Sequence, residues 1–138
     1  MIGHAHPEVT AAVQAQAVSS SAYLHAVTYA RNRIQGAHVM QMMKTDAKGV
    51  AIVEHPDVAR MLLWMKSYVD AQRILIYYMC MNIDIYENSQ GEEAREARAL
   101  VELLVPVCKA GCSDRNVLVT SEAMQVLGGY GFCQDYPV

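Results

Sequence analysis

The sequence predicts an all-α protein, an antiparallel up-and-down helical bundle in which three long helices are present and a closing helix is missing. Three observations carry this. Apolar residues recur at intervals of three and four through three long segments. Glycine and proline stay out of the interiors of the first two segments, Asn88, Ser89 and Gly91 break the periodicity before the third, and only Pro106 and Gly111 interrupt it. No alternation of strands with helices of the βαβ kind is visible. The chain has 138 residues, enough to bury a core of its own, and is read as one domain over residues 1–138.

The first helix is expected from Pro7 to Ile34. Val9, Val13, Ala17, Ser20, Leu24 and Val27 fall on one stripe, and Gly36 follows as a residue that tolerates the left-handed backbone of a helix end. The small residues of "AAVQAQAVSSSAY" would let a neighbouring helix come close, so an inner helix is expected. From Gly36 to Glu54 the chain reads as an irregular connection with a turn at "DAKG" and an extended piece at "VAIV". Connections of that length are uncommon in compact domains and are often functional. Met40, Met42 and Met43 fall in it and are expected to fill core space.

The second helix should begin at Pro56, with His55 just ahead of it, because proline suits the first helical position. Val58, Met61, Leu62, Met65 and Val69 mark its buried stripe, and it should run to about Glu87. "RILIYYMCMNIDIY" is apolar nearly all round, which predicts burial on more than one side. "ENSQGEE" is the turn, with Glu92 and Glu93 suited to the positive end of the next helix. That third helix should reach about Leu127 with Leu100, Leu103, Leu104 and Val107 inward. Pro106 should kink it or remove one backbone hydrogen bond. Three such helices leave a groove that a fourth would close, so the domain is expected to be incomplete at its C-terminal side and to self-associate through exposed apolar surface.

Composition narrows the function classes. A net charge of −3 with both signs interspersed lacks the basic stripe of a nucleic-acid binder. Apolar runs are interrupted well before a bilayer could be spanned. "MIGHAHPEVT" has neither a basic nor an apolar signal region, so a cytoplasmic location is expected. Cys80, Cys108, Cys112 and Cys133 are read as reduced thiols. Their spacing makes no zinc pattern, and His4 and His6 add none, so no metal is assigned.

The end of the chain carries the most specific wording. Gly128, Gly129 and Gly131 surround Tyr130, and a helix cap followed by a tight turn would explain them without a ligand. Yet "EAMQVLGGYGFCQDYPV" resembles the C-terminal domain of flavin-dependent acyl-CoA dehydrogenases. There a helix ends in Gln-x-x-Gly-Gly-x-Gly-aromatic and an acidic-aromatic-Pro segment follows. "TYARNRIQG", Thr28 to Gly36, is similar to that family's Tyr-Ala-x-x-Arg-x-x-Gly. "HPDVARMLLWMKSYVDAQRILIYY" is similar to the subgroup with large bacterial acyl-CoA and methylthiopropanoyl-CoA dehydrogenases. The three matches keep the family's order and span essentially the whole chain.

The resemblance implies an FAD-dependent oxidoreductase of fatty acid metabolism that removes hydrogens from the α and β carbons of an acyl-CoA thioester. It implies a homodimer or homotetramer, and it admits electron-transfer flavoprotein as a partner. Arg33 matches an arginine that meets the flavin diphosphate, commonly that of a neighbouring subunit, and a guanidinium fork suits paired phosphate oxygens. Gln125, Gly128 and Gly129 match the corner along the adenine-nucleotide part of the same cofactor. Arg31, two residues from Arg33, reads as a solvated charge. Arg33 as a surface ion pair, Gln125 as a helix-end amide and Gly129 as a cap remain open alternatives.

The departures are as informative. The family's general base is a glutamate beyond the acidic-aromatic-Pro segment, and Glu54, Glu87, Glu102 and Glu122 do not match it. No catalytic residue is therefore assigned, and the chain alone is expected to be inactive. The arginine that opens the family's first helix is replaced by "HAHPEV". Two rival readings stay open: a helical interaction domain whose glycine turn is structural, and a degenerate fragment that does not bind flavin.

Overall fold

The structure, a computed structural model, describes residues 7–135. His4, His6 and the Tyr136–Pro137 end of the acidic-aromatic-Pro segment lie outside the described residues. Three helices dominate: α1 (Pro7–Asn32), α2 (Pro56–Asn88) and α3 (Gly91–Leu127). One core cluster joins the end of α1 (Ala22, Ala26, Ala30), the start of α2 (Leu62, Met65, Val69) and the end of α3 (Val119, Ala123, Val126, Leu127). The other joins the start of α1 (Ala12, Ala15), the end of α2 (Ile76, Met79) and the first half of α3 (Val101, Val105, Cys108, Cys112). Each helix therefore runs antiparallel to the one before it, as expected of an up-and-down bundle.

Between the two apolar clusters lies a polar layer. Ser19 donates to Asn116 Oδ1 at 3.0 Å, and buried Gln72 donates through Nε2 to the Cys112 carbonyl at 3.3 Å. Arg73 reaches Ser20 Oγ at 3.3 Å. Ser19 and the Gln72 amide nitrogen thus find partners across the helices, while Gln72 Oε1 is buried without one among the described residues.

The helix faces differ from the sequence expectation in an instructive way. In α1 the buried residues are Ala12, Ala15, Ser19, Ala22, Ala26 and Ala30, whereas Val13 and Leu24 are exposed. The stripe of larger residues is rotated outward because small side chains let α1 sit close against its neighbours. In α3 the inward positions are Ala97, Val101, Val105, Cys108 and Cys112, while Leu103 and Val107 are exposed. In α2 the stripe Leu62, Met65 and Val69 is buried as expected. Its apolar second half is covered on one side only, leaving Ile74, Tyr77, Tyr78 and Met81 exposed.

Helix α1 stops two residues short of the expected Ile34, since Ile34 enters a short hairpin. Strand β1 (Ile34–Ala37) pairs antiparallel with β2 (Gly49–Ala51), Ile34 opposite Ala51. The connection is thus a hairpin with 3₁₀ turns at Val39–Gln41 and Ile52–Glu54. Its tip stands away from the helices, so Met40, Met42 and Met43 are exposed rather than core fillers; the methionines that do fill the core are Met65 and Met79. The α2–α3 turn is tighter than "ENSQGEE" suggests. Asn88 still belongs to α2, only Ser89 and Gln90 separate the helices, and Gly91 takes a φ of 72°. Helix α3 continues through Pro106, whose missing N–H leaves the Glu102 carbonyl without its usual donor on an exposed face.

All four cysteines are free thiols; Cys108 and Cys112 are buried and Cys133 is exposed. Burial, with Cys112 and Cys80 nearby, pushes the Cys108 thiol from its ordinary value of 9.0 up to about 11. The sign of the linkage follows. Above pH 9 the unfolded chain ionises this thiol while the folded chain does not, so the stability it contributes is full below pH 9 and is lost as pH rises towards 11. Denaturant midpoints measured across that window should fall more steeply for the wild type than for Cys108→Ala. Equal slopes would show that this thiol is not the source.

Candidate functional site

At the α3 end of the bundle three features converge: the α1–β1 junction, the start of α2 and the glycine turn. Together they line a pocket of about 560 Å³, within the size range of small-molecule sites. Arg33, Gln125, Gly128 and Gly129, which come from two stretches far apart in sequence, all line it. Arg31 is exposed and is not part of that lining.

Arg33 is held at both ends of its backbone. Its N–H donates to the Tyr29 carbonyl at 2.9 Å, and its carbonyl accepts from the Ile52 N–H at 2.9 Å. The guanidinium lies 5.6 Å from the centre of the Tyr130 ring, and its Nε and a terminal nitrogen each approach Gln35 Oε1 at 3.4 Å. Tyr29 lines the same pocket, its ring centroid 6.1 Å from that of Tyr130. Among the described residues Arg33 joins no ion pair, so the surface ion-pair alternative has no carboxylate here. Among the described residues no Asp or Glu lines the pocket. A lone cation over an aromatic face, with its fork partly held in place, is suited to an anion bearing paired oxygens.

The glycine corner grows out of the end of α3. Gly128 caps the helix with a φ of 60° and a ψ of −135°, donating its N–H to the Gln125 carbonyl; side chains rarely adopt that conformation. Gly131 is fixed by packing, because a Cβ there would stand 2.8 Å from the Met124 carbonyl oxygen. Gly129 is different. It has no left-handed φ, and a Cβ on it would meet nothing within 4 Å among the described residues beyond its chain neighbours. The capping alternative thus applies to Gly128, and among the described residues neither backbone conformation nor packing calls for glycine at position 129. Gln125, in the last turn of α3, is exposed at the pocket and makes no side-chain hydrogen bond among the described residues.

Sequence reasoning had not assigned a role to Tyr29, Gln35, His55 or Tyr130, which also line the pocket. The signal for Tyr29 was its i, i+4 spacing from Arg33, which survives the end of the helix; for His55 it was the proline that fixes the start of α2. The glutamates stand elsewhere. Glu102 pairs with Arg98 at 2.9 Å, Glu122 faces Arg60 at 3.8 Å, and neither these nor Glu54 and Glu87 line the pocket. No helix among the described residues is long and apolar enough to cross a membrane.

The family profile for the acyl-CoA dehydrogenase C-terminal domain matches residues 6–138. A broad-specificity linear acyl-CoA dehydrogenase of Mycobacterium tuberculosis is 39% identical over 127 residues, covering 91% of this chain and 21% of that protein. A 3-methylmercaptopropionyl-CoA dehydrogenase of Ruegeria pomeroyi is 40% identical over 123 residues, 89% of this chain and 20% of that protein. A butyryl-CoA dehydrogenase of Syntrophomonas wolfei is 41% identical over 119 residues, 84% of this chain and 19% of that protein. The chain spans about a fifth of the length of these relatives. By this match along its whole length, the chain belongs to the acyl-CoA dehydrogenase family, through that family's C-terminal domain.

Proposed function

We propose that this domain holds the diphosphate and adenosine side of FAD in an enzyme that dehydrogenates an acyl-CoA thioester between its α and β carbons. The reading extends to a cytoplasmic homodimer or homotetramer in which copies share flavin sites. One observation supports it above the others: Arg33 and the Gln125–Gly129 corner line one pocket although some ninety positions of sequence separate them. The donor set fits the group. A guanidinium without a carboxylate partner suits phosphate, an amide with unused donors and acceptor suits ribose or phosphate oxygens, and the bare backbone at Gly129 admits a ligand at close range. When bound, the flavin supplies the redox chemistry. The residues of this chain bind and orient it, and no residue here is proposed as the base that removes the substrate's α-proton. The domain alone is proposed to be catalytically silent.

The test exploits Gly129. Titrating FAD against the wild-type chain and against Gly129→Ala, followed by flavin fluorescence, separates a binding role from a folding role. A methyl group there meets no protein atom within 4 Å, so the thermal midpoint should hold. The affinity should fall about three- to tenfold, the order expected for disturbing one close polar contact. Wild-type chain that shows no saturable flavin binding would refute the reading for the isolated domain.

A further inference from the structure

The motif "HPDV" opens α2, and its histidine turns its ring towards the Gln35 carbonyl beside the pocket. We propose that His55 is a positioning residue for Arg33, acting through Gln35. This rests on the reading of the pocket as a nucleotide site.

The geometry runs through a short relay. His55 Nε2 lies 2.7 Å from the Gln35 carbonyl oxygen. A carbonyl can only accept, so Nε2 carries the proton and donates. The orientation of that peptide is set on its far side by Gly36, whose φ of 71° is the left-handed conformation that glycine adopts freely. A Cβ on Gly36 would lie 3.7 Å from the His55 ring, in ordinary contact. Glycine is thus needed at 36 for its backbone rather than for space. The Gln35 side chain then presents Oε1 to two guanidinium nitrogens of Arg33 at 3.4 Å each. At that length each contact is weak, and it is the pair of them on one oxygen that gives the fork a preferred direction.

His55 is itself well anchored. Its N–H donates to the Ile52 carbonyl at 3.1 Å, and its own carbonyl accepts from Ala59 at 3.0 Å in the first turn of α2. The start of a 33-residue helix is a rigid base from which to brace a hairpin. Without this tie, Gln35 and Gly36 keep only the pairing of β1 with β2, while the Arg33 backbone stays anchored by Tyr29 and Ile52. The Gln35 side chain would then lose the fixed base from which it meets the Arg33 fork. The start of α2 and strand β1 are in this way tied to each other beside the pocket.

The experiment uses the full 138-residue chain labelled with ¹⁵N. In the wild type, long-range ¹⁵N–¹H correlation should show His55 protonated at Nε2 with Nδ1 bare. The opposite tautomer would overturn the proposal without any variant. His55→Ala should shift or broaden the Arg33 Nε–H resonance and weaken FAD binding about fivefold, the order of one lost hydrogen bond. His55→Gln, which keeps an N–H donor at similar reach, should restore both. A merely structural role would lower the thermal midpoint in both variants and leave the Arg33 resonance of the folded His55→Ala chain in place, and that result too would overturn it. Absence of flavin binding by the wild type would refute the nucleotide reading, while the tautomer and the Arg33 resonance still decide the role of His55.

Discussion

Replacing Arg33 with alanine is expected to weaken FAD binding by roughly 10- to 100-fold, because hydrogen bonds to charged groups are worth about 1.5–3 kcal/mol. The effect should be large for a specific reason. The pocket has one guanidinium and no carboxylate among its lining residues, so no second cation substitutes for it. The loss should appear in binding and hardly in folding. Within the domain Arg33 makes two long contacts to Gln35 and one to the face of Tyr130, and an exposed cation–π contact contributes about 0.5–1 kcal/mol. Arg33→Lys keeps the charge but not the fork, so it should recover only part of the affinity. Arg31→Ala removes an exposed charge outside the pocket and should leave binding unchanged. Flavin titration of the four proteins at two salt concentrations checks all of this. Equal affinity of wild type and Arg33→Ala would remove Arg33 from the site.

That expectation was legible in the sequence because motif and geometry coincide. A tyrosine, an arginine and a glycine at the close of one helix, and a glutamine with paired glycines at the close of another, carry their own spacing. Helix ends followed in the same way: Pro56 begins α2 and Gly128 ends α3 where their backbone chemistry demands. The hairpin between β1 and β2 was harder to see. Four- and three-residue strands are too short for an alternating pattern, and what holds them is pairing with each other rather than a buried face. The same reason hid His55 and Gln35, whose contact joins positions twenty residues apart through a backbone carbonyl. A main-chain acceptor leaves no mark in the identity of its residue.

Helix orientation was the larger misreading, and it leads to the second large effect. Hydrophobic periodicity points to Val13 and Leu24 as inward residues of α1. Both are exposed, and the contact face is made of alanines and a serine. Periodicity measures where large apolar residues lie, while a closely packed helix pair is defined by where they are absent. Helices approach to the short end of the usual 8–10 Å only when the facing side chains are small. Ala26 is 0% exposed and shares its cluster with Leu62, Met65, Val119 and Ala123. Ala26→Leu would force three more carbons into that space, at a cost of about 1–3 kcal/mol. For a chain of this size that corresponds to a fall in Tm of roughly 3–10 °C. Leu24→Ala, a change on the face that periodicity favours, should stay within about 0.5 kcal/mol because Leu24 is largely solvated. Thermal and denaturant unfolding at one protein concentration would rank the two, and a larger loss from Leu24→Ala would reverse the assigned rotation of α1. The consequence reaches the pocket as well. The rotation that buries Ala22, Ala26 and Ala30 is the one that turns Tyr29 and the following Arg33 towards the end of α3. Ala26→Leu should therefore reduce flavin affinity together with stability, although Ala26 itself is not part of the pocket lining.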